Sequence, residues 1–511
     1  MNNIKLIKIW GRIILITSAI IECIFHFDIA NIYGCAVILY GWWLFENFVF
    51  SKENFLKFFL PTTAITGYIV MYYFLPIIIT ITEGKPLTFN FEVPYELWTN
   101  QIINVSVIVL AFCLSKKYYK SNNILSKLWT KFGFFKVPTE RQLWALGFIG
   151  VLALIYNIVI QKTDLEDYEV MQSGATGGFI STIIRTIQSL VMVPLCLFFK
   201  KYYGGGEKSY SKTKVLFYLA LVGLLGIATT KRAFIFYPLF SLGLIYILGA
   251  ILYNKKIISG GKVIVISVVL WLISGPIMDL AAAMSLNRHN INGSNTLTEV
   301  IKLYNDKEKL HSMYQYLSAY ADKDNANNHI GWSEYYVDNM FLDRFCNLRV
   351  QDASLYYANK LGYNNEHMHK FAKDFVVFRI PTLLTNMLGE KKVSRTSPAD
   401  LFVDQYFKIP NFIGQKVGGD IGIGLYWLGY FYYPFAFVIY FIIFYFLGTL
   451  VSKKTDKLII PVVILCTISQ YFMYFNNSTG IFKSINLLMR DGVQNIIIYC
   501  ILFFLVRKLI K

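Results

Sequence analysis

The chain has 511 residues, 55% of them hydrophobic and 17% aromatic, with a formal net charge of +18 and a mean hydropathy of +0.47. Soluble domains rarely reach that hydropathy, and apolar stretches of roughly 17–25 residues, long enough to cross a bilayer, recur along the chain. The positive charge is therefore first a matter of membrane topology and gives no indication of nucleic acid. The seven cysteines offer no disulfide framework, since six of them (Cys23, Cys35, Cys113, Cys196, Cys466, Cys500) lie in apolar stretches and Cys346 has no partner nearby.

The opening "MNNIKLIKIWGRIILITSAIIECIFHF" has a basic start but no small-x-small cleavage site, so it reads as a signal anchor retained as the first helix. Hydropathy predicts twelve spans: 9–27, 29–50, 55–82, 97–115, 143–160, 179–199, 215–230, 233–253, 263–284, 421–451, 459–475 and 493–509. The expected fold is an all-α polytopic integral membrane protein of about twelve transmembrane helices. Nine lie in 1–284 and three in 421–511, and residues 285–420 form a large, mostly helical extracytoplasmic loop. No internal repeat relates the halves, which counts against transporter folds built from repeats.

With both termini in the cytoplasm, the segments assigned inside hold 26 of the 49 Lys plus Arg and four of the 31 Asp plus Glu. That asymmetry obeys the positive-inside rule. In the outer segment, "TLTEVIKLYNDKEKLHSMYQYLSAY" predicts a helix. Thr296 and Glu299 match a capping box, and Leu303, Leu310 and Leu317 recur every seven residues. A second helix, "VDNMFLDRFCNLRVQDASLYYANKLG", ends at Gly362. A third stretch, 371–388, is apolar and basic, breaks at Pro381, and suits the membrane interface.

Lysine follows the inside rule and arginine does not. Arg185, Arg232, Arg288, Arg344, Arg349, Arg379, Arg395 and Arg490 all fall outside or in the outer half of a span. Guanidinium is a permanently charged planar fork that binds phosphate bidentately, whereas ammonium acts as a point charge. An outer arginine set therefore suits a lipid-linked phosphate or pyrophosphate. Arg185 sits about two turns inside span six, where an unpaired charge costs at least a few kcal/mol. Arg232 sits in the tight outer turn between spans seven and eight. Arg349 and Asp352, at i,i+3 spacing, read as a structural pair.

Among acids and bases, Asp28 in "HFD" stands at the first outer turn, where it serves equally well as a turn cap or as a carboxylate facing a lipid-borne substrate. All six histidines, His289 among them, fall at or beyond the outer face. "EHMH" (366–369) and "DKD" (322–324) are weak metal patterns better read as surface loops, so no metal site is predicted.

Three stretches carry a family resemblance: "ATTKRAFIFYPLFSLGLIYIL" (228–248), the run from "FRIPTLLTNMLGEKKVSRTSPADLF" into "GQKVGGDIGIGLYWLGYFYYPFAFVIYFIIFYFLG", and "FKSINLLMRDG". With many spans and one large late outer loop, the chain resembles the Wzy-type polymerases of lipid-linked oligosaccharide repeat units, which build O-antigen and capsule. In place of the Glu that such proteins often carry before the aromatic-Gly pair, this chain has Ile423 and Gly424, and its nearest acid is Asp420.

The resemblance implies glycosyl transfer at the outer face of a bacterial cytoplasmic membrane. The growing glycan would pass from undecaprenyl pyrophosphate to the non-reducing end of a new lipid-linked unit, with no cofactor or metal, alongside a chain-length regulator and a flippase. Arg232, Arg344, Arg379 and Arg490 would hold the pyrophosphate, with Arg185 and Arg395 in support. Asp420, His289 and Asp28 are the candidates for the base. Rival readings are an O-antigen ligase, a lipid-linked glycan flippase, a polyprenyl-phosphate-sugar transferase of GT-C type using Asp28, and a non-catalytic scaffold.

Overall fold

The computed structural model describes residues 3–120, 123–160, 183–184, 186–205, 210–228, 233–253, 276, 279–280, 282–284, 297–312, 335–380, 385, 387, 389, 397–408, 418–454, 457–476 and 479–510. It is 81% helical. Helices α1 (Asn3–Phe25), α2 (Ile29–Val49), α3 (Phe59–Thr82) and α4 (Pro94–Tyr118) come first. They are followed by α5 (Glu140–Ile160), a 3₁₀ stretch Ser189–Tyr202, α6 (Lys212–Ala228) and α7 (Ala233–Tyr253). The long polar segment supplies α8 (Leu297–Asn305), α9 (Leu348–Leu361) and α10 (Glu366–Arg379). The chain closes with α11 (Asp420–Leu428), α12 (Tyr432–Gly448), α13 (Ile481–Asn486) and α14 (Gly492–Leu509).

Among the described residues, five stretches are long and apolar enough to cross a membrane: Ile29–Val49, Phe59–Thr82, Pro94–Tyr118, Asp420–Gly448 and Ile481–Leu509. This is the architecture of an all-α membrane protein. The stretch predicted as one span at 459–475 forms two short helices, Val462–Cys466 and Ile468–Phe472. Just before it, Ser452–Lys454 and Lys457–Ile459 pair as an antiparallel ribbon, Lys453 opposite Leu458. Predicted span 263–284 lies mostly outside the described residues, as does the part of 179–199 before residue 183.

Local chemistry sets the helix ends. Pro94 opens α4, where its missing N–H costs nothing. Ile380, forced into extended backbone by Pro381, closes α10. The second predicted outer helix ends at Gly362 as expected, but it is broken at 344–347 into Met340–Asp343 and α9. Leu303 and Leu310 are buried with Val300, Ala282, Ala283 and Met284, but the helix predicted to carry both is interrupted at Asp306, so they come from two successive helical segments. Thr296 and Leu317 lie outside the described residues.

The chain separates into two compact units. Unit 1 is Met1–Lys120, Tyr320–Gly448 and Gln470–Val493; unit 2 is Ser121–Ala319, Thr449–Ser469 and Gln494–Lys511. In unit 2, α5 lies against the 3₁₀ stretch, and the Tyr218 hydroxyl donates to the carbonyls of Val191 (2.8 Å) and Gly147 (3.3 Å). In unit 1, α12 packs along α4, where the Ser115 hydroxyl donates to Phe441 O at 2.7 Å and the Tyr119 hydroxyl to Gly448 O at 2.8 Å.

The hub of unit 1 is α9. Arg349 and Asp352 form the buried pair that their spacing predicts, with Nη1 to Oδ2 at 2.5 Å. The Asp352 carboxylate also accepts the backbone N–H groups of Glu92 (2.7 Å) and Val93 (2.9 Å). It thereby satisfies two backbone donors in the segment that leads into α4.

Candidate active site

Asp420 to Gly448 does not run as one helix. In a continuous helix Asp420 and Tyr440 would lie about 30 Å apart along the axis. Instead their side chains are hydrogen-bonded, so the chain folds back. The reversal occurs at Gly429, whose φ of +56° and ψ of −148° few other residues tolerate. Thus α11 is a short helix held beside the start of α12, and its first residue is Asp420.

What is unusual at this helix start is who caps it. The Ser354 hydroxyl accepts from Gly419 N at 2.7 Å, and the Gln351 side-chain carbonyl accepts from Ile421 N at 3.2 Å. Both residues come from α9. Asp420, the first helical residue after the N-cap Gly419, takes no part in that capping. Its Oδ2 instead accepts from the hydroxyls of Tyr432, at 2.8 Å, and Tyr440. Oδ1 is buried and accepts no hydrogen bond among the described residues. It faces Gly480, where a Cβ would come within 3.2 Å of it. A carboxylate that is 6% exposed, tethered by one oxygen and bare at the other, is poised to receive a hydroxyl proton.

The wall beyond Gly480 is α13. Phe482 lies 4.8 Å from the Trp427 ring and 5.5 and 5.0 Å from the Phe371 and Phe375 rings, which joins α11, α10 and α13. Lys483 donates to the carbonyls of Tyr474 (2.8 Å) and Met473 (3.4 Å), fixing the turn that leads to Gly480. Arg379 ends α10 with its guanidinium 4.8 Å from the Phe375 ring and 5.5 Å from that of Phe378. Its Nε is buried and donates to nothing among the described residues. Burial holds its basicity below that of a free guanidinium, Asp491 opposes that effect and Arg490 adds to it. Arg490 sits on the wide turn Leu487–Asp491, half-buried. The arrangement is a bare carboxylate on one side of an aromatic junction and two arginines on the other.

Asp420 and Arg379 lie on α11 and α10, which meet at the Phe482 ring, and Arg490 lies on the turn that continues α13. Arg344 lies exposed on an adjoining turn, where its carbonyl accepts from Asn476 at 2.9 Å. Asp28 lies apart from them. It is exposed, and its carboxylate caps α2 by accepting from Ala30 N (3.0 Å) and Asn31 N (3.3 Å). Arg185, Arg232, His289 and Arg395 lie outside the described residues. Of "EHMH", His367 and His369 are exposed on the first turn of α10, with the His369 Nε2 2.9 Å from Asn364 Oδ1. No cluster of His, Cys, Asp or Glu with metal-binding geometry occurs among the described residues.

Sequence reading missed Tyr432, Tyr440, Gln351, Ser354, Gly480 and Lys483. No spacing links them, because the fold assembles them from α9, α12, α13 and the turn before it. It also missed Glu22, a fully buried acid in "IIECIF", which accepts from Asn31 Nδ2 at 2.8 Å and from Leu87 N. The signal for Glu22 was there: an acid inside an apolar run must have donors waiting. No family model, no curated protein and no solved structure matches the chain.

Proposed function

We propose that the protein is a glycosyltransferase that polymerises lipid-linked oligosaccharide units, moving the growing glycan from a polyprenyl pyrophosphate to a hydroxyl of an incoming unit. In this reading the chain crosses a bacterial cytoplasmic membrane about twelve times with both termini inside, and the α9–α11 region faces out. The observation that carries the proposal is the bare, buried Oδ1 of Asp420 on a helix whose caps come from elsewhere. Asp420 takes the acceptor hydroxyl proton as that oxygen attacks the anomeric carbon and the pyrophosphate departs. A base in this role is worth roughly 10²–10⁴ in rate. Arg379 and Arg490, with Arg344 at the rim, offset the charge that develops on the leaving pyrophosphate. Arg232, Arg185 and Arg395 remain part of the proposed phosphate-binding set on the strength of their residue type and topology.

The test is glycan length on a gel from deletion cells complemented with wild type, Asp420→Asn or Arg379→Ala at matched membrane abundance. The reading expects single units in the deletion strain and a failed ladder in both variants. Full-length chains that never reach their final acceptor would make the protein a ligase. Units trapped on the cytoplasmic face would make it a flippase.

A further inference from the structure

The turn His26–Asp28 that joins α1 to α2 carries an exposed phenylalanine at its centre and an exposed apolar side chain on either side. Phe25, Phe27 and Ile29 are 74%, 79% and 69% exposed, and Asp28 between them is occupied as a cap. The exposed surface does not begin at the turn. Ile9, Ile13, Ile16, Ile20 and Ile24 run up α1 at helical spacing, each more than two-fifths exposed, and lead into it without interruption. An unbroken stripe of exposed isoleucine along the helix is a lipid-facing surface, so the turn continues a surface that already meets the bilayer.

A second helix fixes the level of that turn. The Tyr33 hydroxyl meets Thr99 Oγ1 at 3.1 Å, and Tyr40 meets Ser106 Oγ at 3.0 Å. Both steps are seven residues on each helix, so α2 and α4 run parallel and in register. Ile29 and Tyr95 each stand four residues beyond the first tie, about 6 Å along the axis. Tyr95, half-exposed at the start of α4, thus lies level with the apolar turn. Tyrosine at that station, with an apolar body and a polar tip, is what the headgroup boundary selects.

We infer that the Phe25–Ile29 turn and Tyr95 sit in the headgroup region of one leaflet and mark its plane on unit 1. The consequence concerns Asp420. Gln351, which caps α11, donates to the Tyr72 hydroxyl at 3.5 Å. The Tyr72 ring lies 5.0 Å from that of Tyr68, whose hydroxyl donates to the Gln101 side chain at 3.0 Å. Gln101 is six residues inward of Tyr95, about 9 Å. That chain of contacts ties the Asp420 end of α11 to α4 at a point inward of Tyr95. Irregular backbone such as the reversal at Gly429 is tolerated at membrane depth where protein surrounds it.

The experiment attaches a nitroxide to single cysteines introduced into the full-length protein in phospholipid vesicles, with the unsubstituted, equally treated protein as blank. Phe27→Cys and Tyr95→Cys are the probes, Ile16→Cys the deep reference and His367→Cys the aqueous one. The expected result is that both probes report one depth to within a helical turn. They are relaxed by oxygen more than by a water-soluble nickel chelate, and sit shallower than position 16. Chelate access at position 27 equal to that at 367 would overturn the assignment, as would depths at 27 and 95 that differ by more than a turn. Shielding of position 27 from both relaxants that lifts when the protein is diluted in lipid would assign the turn to a second copy of the chain instead. Tyr95→Cys reads the plane independently should the turn variant fail to fold.

Discussion

Asp28 and Asp420 both stand at the beginning of an apolar helix, Asp28 as the N-cap of α2 and Asp420 as the first helical residue of α11, and their carboxylates are held in opposite ways. Asp28 caps its own helix, is exposed, and has its Oδ2 engaged with Ala30 N and Asn31 N. Asp420 is buried and caps nothing, because Ser354 and Gln351 arrive from α9 to do so. Asp352 completes the set by accepting the N–H groups of Glu92 and Val93, just before α4. The lesson is one of competition for donors. A carboxylate at a helix start is consumed by the nearest N–H groups unless another side chain takes them. Only then is one oxygen left for chemistry.

The sharpest way to break the comparison is to remove the free oxygen. Asp420→Asn keeps the shape and removes the proposed base, and glycan elongation by purified protein in vesicles should fall roughly 10²–10⁴-fold. Asp28→Asn, which still caps, should leave it unchanged. Equal effects at both positions would show that the difference in capping has no functional meaning. Asp352→Ala comes next and acts on stability. It leaves Arg349 buried without its nearest carboxylate and the N–H groups of Glu92 and Val93, just before α4, unpaired, a loss of about 3–5 kcal/mol, read as a lower unfolding midpoint in detergent. Glu92, 3.7 Å from Arg349, limits the loss.

A subtler variant sharpens the argument. Ser354→Ala removes one borrowed cap, at a cost of about 1 kcal/mol, and leaves Gly419 N looking for an acceptor. Asp420 is the nearest carboxylate in the chain, and turning toward that N–H takes it from the Tyr432 and Tyr440 hydroxyls. Elongation should then drop about tenfold, the rate equivalent of 1.4 kcal/mol, with the unfolding midpoint lowered only slightly. Ser354→Thr, which keeps a hydroxyl, should restore it. Activity unchanged in Ser354→Ala would mean that the phenols alone hold the carboxylate.

The same competition explains what could be read from the sequence. Periodicity and length gave α2, α3 and α4 to within a few residues, because lipid demands long apolar helices with their own backbone bonds satisfied. Pro381 and Gly362 marked helix ends because their backbone preferences are local. The i,i+3 spacing of Arg349 and Asp352 was enough to pair them. The reversal at Gly429 was not legible, since an apolar run of this length reads the same whether it crosses or folds back. Nor were the caps: Ser354 and Gln351 look like ordinary polar helix residues until α11 is laid against them. Asp420 could be named as an acid near the right place. The two phenols that make it distinctive come from residues 12 and 20 positions away, separations no helical pattern relates.

The smallest effect is expected at Asp28 itself, and there the comparison is most exposed to failure. Asp28→Ala removes the acceptor for two N–H groups at the start of α2, which water at the turn can partly replace because the site is exposed. The cost is then about 1 kcal/mol or less. Glu22 and Asn31 set a further limit. Asn31 donates to Glu22 and to His26 O and accepts from Thr88 N, so the turn stays pinned after its cap is lost. The unfolding midpoint should move by no more than a few degrees, and elongation should remain at the wild-type rate. A collapse of activity with the fold intact would put the working carboxylate at the first turn and leave Asp420 as a buried anchor for two tyrosines.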